Sequence, residues 1–290
     1  MATEPLAAGS PGRARRTVGT IGSYALLTVL SMMILFPIYT TIVRAISKPI
    51  PYLQSLQGGG SGLWPVGWDW GVFGRVLNED DFTRALLLSA VIAILIVAGQ
   101  TFTSIVAGYA FACLDFPFKR TVFAVVVGTL LLPVEVTLIA NIETVRDLSW
   151  FNSWQGLAVP FMAWAFGIFL IRQAFMGIPK DLQDAALLDG YSHFRFLFRV
   201  AVPISRPIIG SFVLISFLGA WNQYLWPRFA ADRQEWQTIQ VALRTLATRE
   251  VNNLNFAFAA AILASIPLVV LLIAFQRQII RGLTAGAVKG

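Results

Sequence analysis

Six long runs of apolar residues, separated by short polar segments, dominate the hydrophobicity pattern of this chain. A helix of about 20 apolar residues crosses a bilayer core about 30 Å thick, and each run approaches or exceeds that length. The runs lie near Ile21–Val43, Ala85–Cys113, Val122–Ala140, Gln155–Met176, Pro207–Leu225 and Phe256–Phe275. The pattern therefore predicts an all-α polytopic membrane protein, with six transmembrane helices in residues 21–280 and short tails at residues 1–20 and 281–290.

Composition and charge agree with this prediction and add an orientation. The chain is 57% hydrophobic and 13% charged, far from the composition of a soluble domain. If the N-terminus lies inside, the inner segments hold most of the 22 Lys and Arg residues and a minority of the 15 Asp and Glu residues. Cytoplasmic loops retain such an excess, so both termini are predicted to be cytoplasmic. Anionic membrane lipid accounts for the net charge of +7, and no nucleic acid is expected as a partner.

The chain lacks the motifs of common catalytic sites. It contains no G-x-x-x-x-G-K-[ST] phosphate loop, no G-x-S-x-G elbow and no H-E-x-x-H helix. Cys113 and His193 are its only cysteine and histidine. We therefore expect no catalytic residues, no metal site and no bound cofactor in this chain, and predict that it is not an enzyme.

Glu135 is the one carboxylate inside a predicted span, two residues after Pro133. An ionisable residue is costly in a membrane and is often functional there, so Glu135 is a candidate for a solute pathway. The alternative is that it lies near the outer end of its helix and reaches water. Ion-driven carriers bury several ionisable groups in their spans. The predicted spans of this chain hold at most one, which does not favour such a carrier. A self-contained ion-coupled secondary carrier and an uncoupled channel or scaffold remain alternatives.

The longest polar segment between spans runs from Lys48 to Arg84 on the predicted outer side. It contains the glycine run Gly58–Gly62, followed by Trp64, Trp68 and Trp70. Indole rings prefer the membrane–water interface, so the segment is predicted to lie along the outer interface. Contact with an external partner is the alternative.

A second polar segment, residues 177–206, separates the fourth and fifth runs and carries its own helix signals. Pro179 suits a first helical turn, Gly190 suits the left-handed position after a helix, and Ser192 can cap a second helix. The segment therefore predicts two short helices around a bend. Four apolar residues at roughly helical spacing give the first helix a face that a partner could cover: Leu182, Ala185, Ala186 and Leu188.

This segment resembles the EAA loop of the membrane subunits of binding-protein-dependent ATP-binding-cassette importers. The resemblance runs through Ile178-Pro179, Asp184-Ala185-Ala186, Asp189-Gly190 and Val202-Pro203. The acid of the triplet is Asp184 rather than glutamate, which keeps the charge on a side chain one carbon shorter. The similarity extends over nearly the whole chain after the N-terminal tail.

The resemblance implies a multi-pass permease subunit of a bacterial inner membrane. Its implied partners are two ATP-hydrolysing subunits, a second homologous permease chain and an extracytoplasmic solute-binding protein. The ATP would be bound by the ATP-hydrolysing subunits, and a non-identical second permease chain is favoured over an identical one. In this family the loop forms coupling helices that sit in a cleft of the ATPase. The interface residues carried over by the resemblance are Asp184, Ala185, Ala186, Asp189 and Gly190.

Trp221-Asn222-Gln223-Tyr224 is the candidate for solute contact. Aromatic faces suit the apolar faces of sugars or polyols, and amides suit hydroxyl groups; helix packing is the alternative reading. The stretch from Trp221 to Pro227 resembles the carbohydrate-importer branch, and most of all its glycerol-3-phosphate and glycerophosphodiester permeases. Many permeases of that branch carry an acid where this chain has Gln223, and loss of a carboxylate reduces repulsion of an anion.

Overall fold

Helices are the regular secondary structure of the computed structural model, which describes residues 11–249 and 253–285; no strand occurs in those two ranges. The first half holds α1 (Pro11–Ala45), α2 (Pro49–Gln57), α3 (Gly71–Leu77), α4 (Asp80–Cys113), α5 (Lys119–Gly128), α6 (Val134–Asp147), α7 (Trp154–Ala158) and α8 (Ala165–Met176). The second half holds α9 (Lys180–Leu188), α10 (His193–Phe196), α11 (Val202–Ile204), α12 (Arg206–Trp221), α13 (Leu225–Ala230), α14 (Ile239–Arg249) and α15 (Leu254–Ala285). The prediction of an all-α membrane protein is confirmed. Residues 1–10 and 286–290 of the predicted tails lie outside the described residues.

Three helices are long and apolar enough to cross a membrane unaided: Gly22–Ala45, Asp80–Cys113 and Leu254–Gln276. Three further spans require counting a bent pair of helices as one crossing, so the described residues contain three to six spans. The fourth predicted run is such a pair, bent by 43° where α7 and its 3₁₀ extension meet α8. Three of the six predicted spans are therefore straight helices, and each of the other three falls on a bent pair of helices.

The third predicted run, Val122–Ala140, departs furthest from a straight helix. Its two halves are bent by 104° at Leu132 and Pro133. Leu132 and Pro133 are both extended, with ψ values of 119° and 133°. A proline disfavours the helical conformation of the residue before it and cannot donate a backbone hydrogen bond. The break therefore has a local cause, and it starts α6 in a new direction directly before Glu135.

Helix α4 lies at the centre of the bundle and packs mainly against α8 and α12. Its approach to α8 depends on small residues. A methyl group on Gly108 would lie 3.1 Å from the backbone nitrogen of Arg172, and one on Gly167 would lie 2.3 Å from both Phe212 and Ser104. These close contacts leave no room for side chains at the two glycines, so the two helices pack with their backbones close together.

The segment between α1 and α4, predicted to be on the outer side and called the outer segment here, folds on itself. The Tyr52 hydroxyl donates to the Gly62 carbonyl at 2.8 Å, which closes the glycine run against α2. Asp69 accepts hydrogen bonds from Arg75 at 2.6 Å and from Asn255 at 3.1 Å. The hydrogen bond from the Arg75 guanidinium holds the pKa of Asp69 below its usual range. The segment is therefore fastened to the start of α15.

The tryptophans of this segment are exposed. Trp68 and Trp70 stack with ring centroids 6.0 Å apart, and each keeps more than half of its surface accessible, as does Trp64. Insertion into a membrane interface and contact with an external partner both require exposed indole rings. The exposure of these rings therefore does not distinguish between the two predictions for this segment.

Candidate functional site

A cavity of about 330 Å³ lies where the broken helices meet α4 and α12. Three of the residues that the sequence analysis singled out line this cavity: Glu135, Gln223 and Tyr224. The rest of the lining is mostly aromatic and small, and comprises Gln100, Leu138, Phe161, Ala163, Trp164, Ser216, Gly219, Ala220, Leu225 and Trp226. Aromatic faces beside a few polar groups are the lining typical of a small-molecule site.

The breaks in the helices bring these side chains to the cavity. Glu135 is in the first turn of α6, directly after the break at Pro133. Gln223 and Tyr224 form the short non-helical link between α12 and α13. Irregular backbone at membrane depth is tolerated where it is buried in protein or faces a wet cavity. The same interruptions that shorten the spans therefore supply the polar groups of the cavity.

Trp221 and Asn222 do not line the cavity. Trp221 is the last residue of α12 and is buried in the core between α12 and α15, where its indole nitrogen donates to the Ala264 carbonyl at 3.3 Å. Asn222 donates to the Leu218 carbonyl at 2.9 Å, so its amide closes the end of its own helix. Packing in the core accounts for Trp221 and helix capping accounts for Asn222, so of the four-residue stretch Gln223 and Tyr224 alone reach the cavity.

Two buried polar residues of the cavity wall were missed by the sequence analysis. Gln100 donates from Nε2 to the Phe161 carbonyl at 2.8 Å, and Ser216 donates from Oγ to Gln100 Oε1 at 2.6 Å. Thr103 similarly donates to the Met162 carbonyl at 2.9 Å. These side chains satisfy carbonyls freed by the bend before α8, as a membrane interior demands. The sequence signal that could have identified this part of the site is Gln100, a glutamine in the middle of an apolar run.

Charge in the cavity is sparse. Glu135 is the only ionisable side chain except Tyr224 among the lining residues, and its side chain is exposed to the cavity opening. No cation lines the cavity within this chain, and no group of three or more His, Cys, Asp or Glu residues that could hold a metal occurs in the described part of the chain. The cavity is suited to hydroxyl groups and the apolar faces of a small solute.

The segment 177–206 has the local structure that its sequence predicts. Helix α9 ends in a Schellman motif: the Tyr191 amide donates to the Ala186 carbonyl at 2.9 Å and the Gly190 amide to Leu187 at 3.0 Å. Gly190 has φ +77°, in the left-handed region. Ser192 caps α10 by accepting from the Arg195 amide at 3.3 Å. Pro179 is the N-cap residue of α9, one position before the first turn.

The predicted apolar face of α9 divides into two. Ala186 is buried in a cluster with Tyr109 of α4, Phe175 of α8 and Phe196. Leu182, Ala185 and Leu188 point outward with Asp184, Asp189 and Gly190, and Leu188 is 89% exposed. The helix therefore packs on the bundle through Ala186 and presents the other predicted interface residues to the outside.

The only histidine of the chain joins this loop to the bundle. His193, at the start of α10, has its Nδ1 atom 3.2 Å from the Tyr109 hydroxyl. The Tyr109 ring also meets Phe175 edge-on and lies 6.3 Å from Phe196. One side chain of α4 thus contacts both α10 and the end of α8.

Comparison with known proteins identifies the family. The sequence model of the protein family described as binding-protein-dependent transport system inner membrane component matches residues 6–285. The chain belongs to this family. Such permeases are non-catalytic, multi-pass components of a bacterial inner membrane, and they work with a solute-binding protein. Neither the family nor its relatives support the ion-coupled alternative.

Individual relatives agree with this assignment. The permease is 33% identical over 267 residues to the sn-glycerol-3-phosphate transport system permease protein UgpE of Pectobacterium atrosepticum, which covers 91% of this chain and 95% of the relative. It is 28% identical over 272 residues to the arabinooligosaccharides transport system permease protein AraQ of Bacillus subtilis, with 90% and 93% covered. These similarities run through both the cavity and the loop.

Solved structures agree in fold. A chain of a bacterial ABC transporter involved in the import of the acidic polysaccharide alginate superposes with a TM-score of 0.79 at 22% identity, covering 94% of the permease and 99% of that chain. A second alginate transporter structure, in complex with its pentasaccharide-bound periplasmic protein, superposes with a TM-score of 0.61. The broken helices of the permease therefore belong to a known transporter fold.

Proposed function

We propose that this permease forms one half of the membrane pathway of an importer, and that ATP bound and hydrolysed by two partner subunits drives it through residues 177–206. The exposed face of α9 carries the proposal. Leu182, Ala185 and Leu188 present apolar surface to water, with Asp184 beside them. Phe194 and Phe198 add two exposed rings 5.2 Å apart on the same loop. Apolar surface with a polar rim is typical of a protein interface.

Movement of α9 would reach the cavity through packed side chains. Ala186 lies in one buried cluster with Tyr109 of α4 and Phe175 of α8. Close-packed interiors have low compressibility, so a shift of α9 displaces its neighbours. Closure of the ATPase subunits would thereby tilt α4 and α8 and open the cavity to one side of the membrane and then the other.

A second, related permease chain would supply the other half of the pathway. In the Gly22–Ala45 span, the most apolar stretch of α1 is 6% buried, and its exposed apolar residues point in several directions. A helix with so little contact in its own chain needs lipid or another protein around it. A non-identical partner is supported by the cavity beside Glu135, because its lining lacks any cation that an anionic solute would need.

The solute would be a sugar or polyol, with glycerol 3-phosphate or a glycerophosphodiester as the specific candidates. Phe161, Trp164 and Trp226 offer aromatic faces, while Gln100, Ser216 and Gln223 offer groups that bond hydroxyls. The similarity to UgpE supports a glycerol phosphate. Because Glu135 is the one charged group among the lining residues, a phosphate would have to meet its cations on the partner chain.

Assembly and coupling can be tested with one substitution and one control. The permease is purified with its candidate ATPase and partner permease, and ATP hydrolysis is measured with and without the loaded binding protein. Asp184→Arg is expected to insert normally but to lose assembly or stimulation. Glu143→Arg makes the same charge change at an exposed residue of α6 outside the loop and is expected to behave as wild type. Normal stimulation of the Asp184→Arg complex would refute the proposed role of the loop.

Solute choice requires a separate assay. Proteoliposomes containing the assembled importer are loaded with ATP, and uptake of labelled glycerol 3-phosphate is compared with uptake of a neutral disaccharide. Uptake of glycerol 3-phosphate, blocked by excess glycerophosphodiester, is the expected result. Efficient uptake of the disaccharide together with exclusion of glycerol 3-phosphate would remove the phosphate assignment and leave the sugar class.

A further inference from the structure

A second cavity, of about 620 Å³, lies on the side of the bundle that carries residues 177–206, the proposed coupling loop. It is enclosed by the end of α4, the start of α5, the end of α8 and the start of α9. Four cationic side chains line it, contributed by three of these helices: Lys119, Arg120, Arg172 and Lys180. The transport function described above uses none of them.

The charge of this cavity is only partly neutralised from within. Asp115 is the one carboxylate in its lining; its side chain is fully exposed, and it lies 3.6 Å from Lys119. No ion pair to Arg120, Arg172 or Lys180 occurs among the described residues. Clustered cations repel one another, so an anion in the cavity would stabilise the arrangement.

The packing of two of the cations fixes their position. Arg172 donates from Nε to the Phe111 carbonyl at 3.3 Å, and its guanidinium carbon lies 4.2 Å from the centre of the Phe123 ring. Lys119 donates to the Leu114 carbonyl at 2.6 Å. These contacts leave donor groups of both side chains free to bind a ligand, since a guanidinium has five N–H donors and an ammonium has three.

The surroundings select an amphiphile over a soluble anion. The cavity lies where α4 and α8 end, at the expected boundary of the bilayer, and Phe111, Phe123 and Met176 contribute apolar surface to its wall. Phe118, Val122 and Val125 lie exposed on the adjoining α5 segment, and Phe118 is 79% exposed. Basic pockets between membrane helices on the cytoplasmic side are suited to phosphate headgroups, and the apolar surface beside this pocket can accommodate acyl chains.

We propose that this cavity binds the phosphate headgroup of an anionic phospholipid. Lys180 is the first residue of α9 and Arg120 is the second residue of α5. A phosphate bonded to both would join the coupling helix to α5, which no ion pair or side-chain hydrogen bond does within the described residues. Assignment to the cytoplasmic leaflet rests on the proposed function; binding of the lipid does not.

Cys113 provides the measurement, because it lines the cavity and is the only cysteine of the chain. The full-length permease, in its assembled complex, is placed in phosphatidylcholine nanodiscs with or without phosphatidylglycerol. The rate of reaction with the uncharged reagent N-ethylmaleimide is read by mass spectrometry of the peptide that contains Cys113. Two cations near an anionic surface favour the lipid by about tenfold or more, so labelling is expected to slow by about tenfold or more in phosphatidylglycerol.

Two double variants separate binding in the cavity from the general effect of a charged surface. Arg120→Gln with Lys180→Gln is expected to lose the difference between the two lipids, whereas Arg195→Gln with Arg199→Gln, the same loss of charge elsewhere on the loop, is expected to keep it. Equal rates in the two lipids for wild type, or an unchanged difference in the first variant, would overturn the proposal. Slowing by inorganic phosphate in phosphatidylcholine discs would assign the site to a soluble anion and overturn the lipid assignment.

A measurement on the wild type alone covers the case in which a variant fails to insert. The purified complex is exchanged into equimolar phosphatidylglycerol and phosphatidylcholine in detergent, and retained lipid is counted by native mass spectrometry. Retention of phosphatidylglycerol by about tenfold or more over phosphatidylcholine is expected. Equal retention would overturn the proposal. Neither measurement depends on ATP hydrolysis or uptake, so a failure here is distinct from a failure of the proposed function.

Discussion

Replacing Gly190 by alanine isolates the contribution of one backbone conformation to the coupling loop. Gly190 has φ +77°, and a methyl group built on it meets no atom within 4 Å. The substitution therefore adds no clash and removes no contact; it places an L side chain in the left-handed region, which costs about 1–2 kcal/mol. That cost corresponds to a factor of about 5 to 30 in the equilibrium between the closed loop and a locally opened one. Opening breaks the Schellman hydrogen bonds donated by Gly190 and Tyr191.

Hydrogen exchange of the assembled complex measures that opening. Exchange in the peptide spanning residues 186–196 is expected to accelerate by about 5 to 30 times in Gly190→Ala, with the rest of the chain unchanged. Gly210→Ala is the matched control, because its methyl group also meets nothing within 4 Å but its φ is negative. Gly190→Asn should recover part of the loss, since asparagine tolerates this conformation. Wild-type exchange in Gly190→Ala would refute the reasoning.

Three further substitutions test the packing, the outer segment and the interface. Gly167→Ala should lower stability by about 1–3 kcal/mol through overpacking, since its methyl group would lie 2.3 Å from Phe212 and Ser104; thermal melting in detergent against Gly210→Ala measures this. Because the pKa of Asp69 is lowered by Arg75, its stabilising contribution is complete above the ordinary Asp pKa of about 3.9 and is lost as pH falls through the folded-state pKa. Acidification should therefore lower the thermal melting temperature of the wild type, whereas Asp69→Asn should have a lowered melting temperature already at neutral pH; equal profiles of melting temperature against pH would contradict this. Leu188→Glu should weaken association with the ATPase without changing melting, because Leu188 is exposed; undiminished co-purification would argue against its place in the interface.

The sequence predicted local structure best where the signals are local. Gly190 and Ser192 act within a few residues of themselves, and both do in the structure what their residue types favour. The spans were predicted less well, because a hydropathy window averages over about 20 residues and carries no direction. It reads Val122–Ala140 as one segment, although Pro133 bends the chain there by 104°. The proline was visible in the sequence; the angle depends on tertiary packing.

The cavity residues divide by the same reasoning. Glu135 and Gln223 lie beside helix interruptions, which proline and polar residues mark in the sequence. Trp221 is the last residue of α12 and lies in the core, whereas Gln223 lies in the non-helical link after it and lines the cavity. The position at which the helix ends therefore separates the two residues, and the composition of the stretch does not show it. Gln100 was hidden because the apolar run around it satisfies every hydropathy criterion. A glutamine at the centre of such a run needs a partner in the membrane, and here that partner is the carbonyl of Phe161.

The cavity and the coupling loop share helices, which bears on how force could pass between them. Gln100 in the cavity wall and Tyr109 beneath the loop both belong to α4, nine residues and therefore about 14 Å apart. Trp164, the N-cap residue of α8, lines the cavity, and Phe175, near the other end of α8, packs beneath the loop. Because α4 has no proline in its 34 residues, it can transmit a tilt without bending at a break. The helix breaks that form the cavity lie between α5 and α6, between α7 and α8, and at the end of α12. A tilt of α4 against these broken helices would therefore change the shape of the cavity. In a bundle of six straight spans, the same tilt would shift all the helices together.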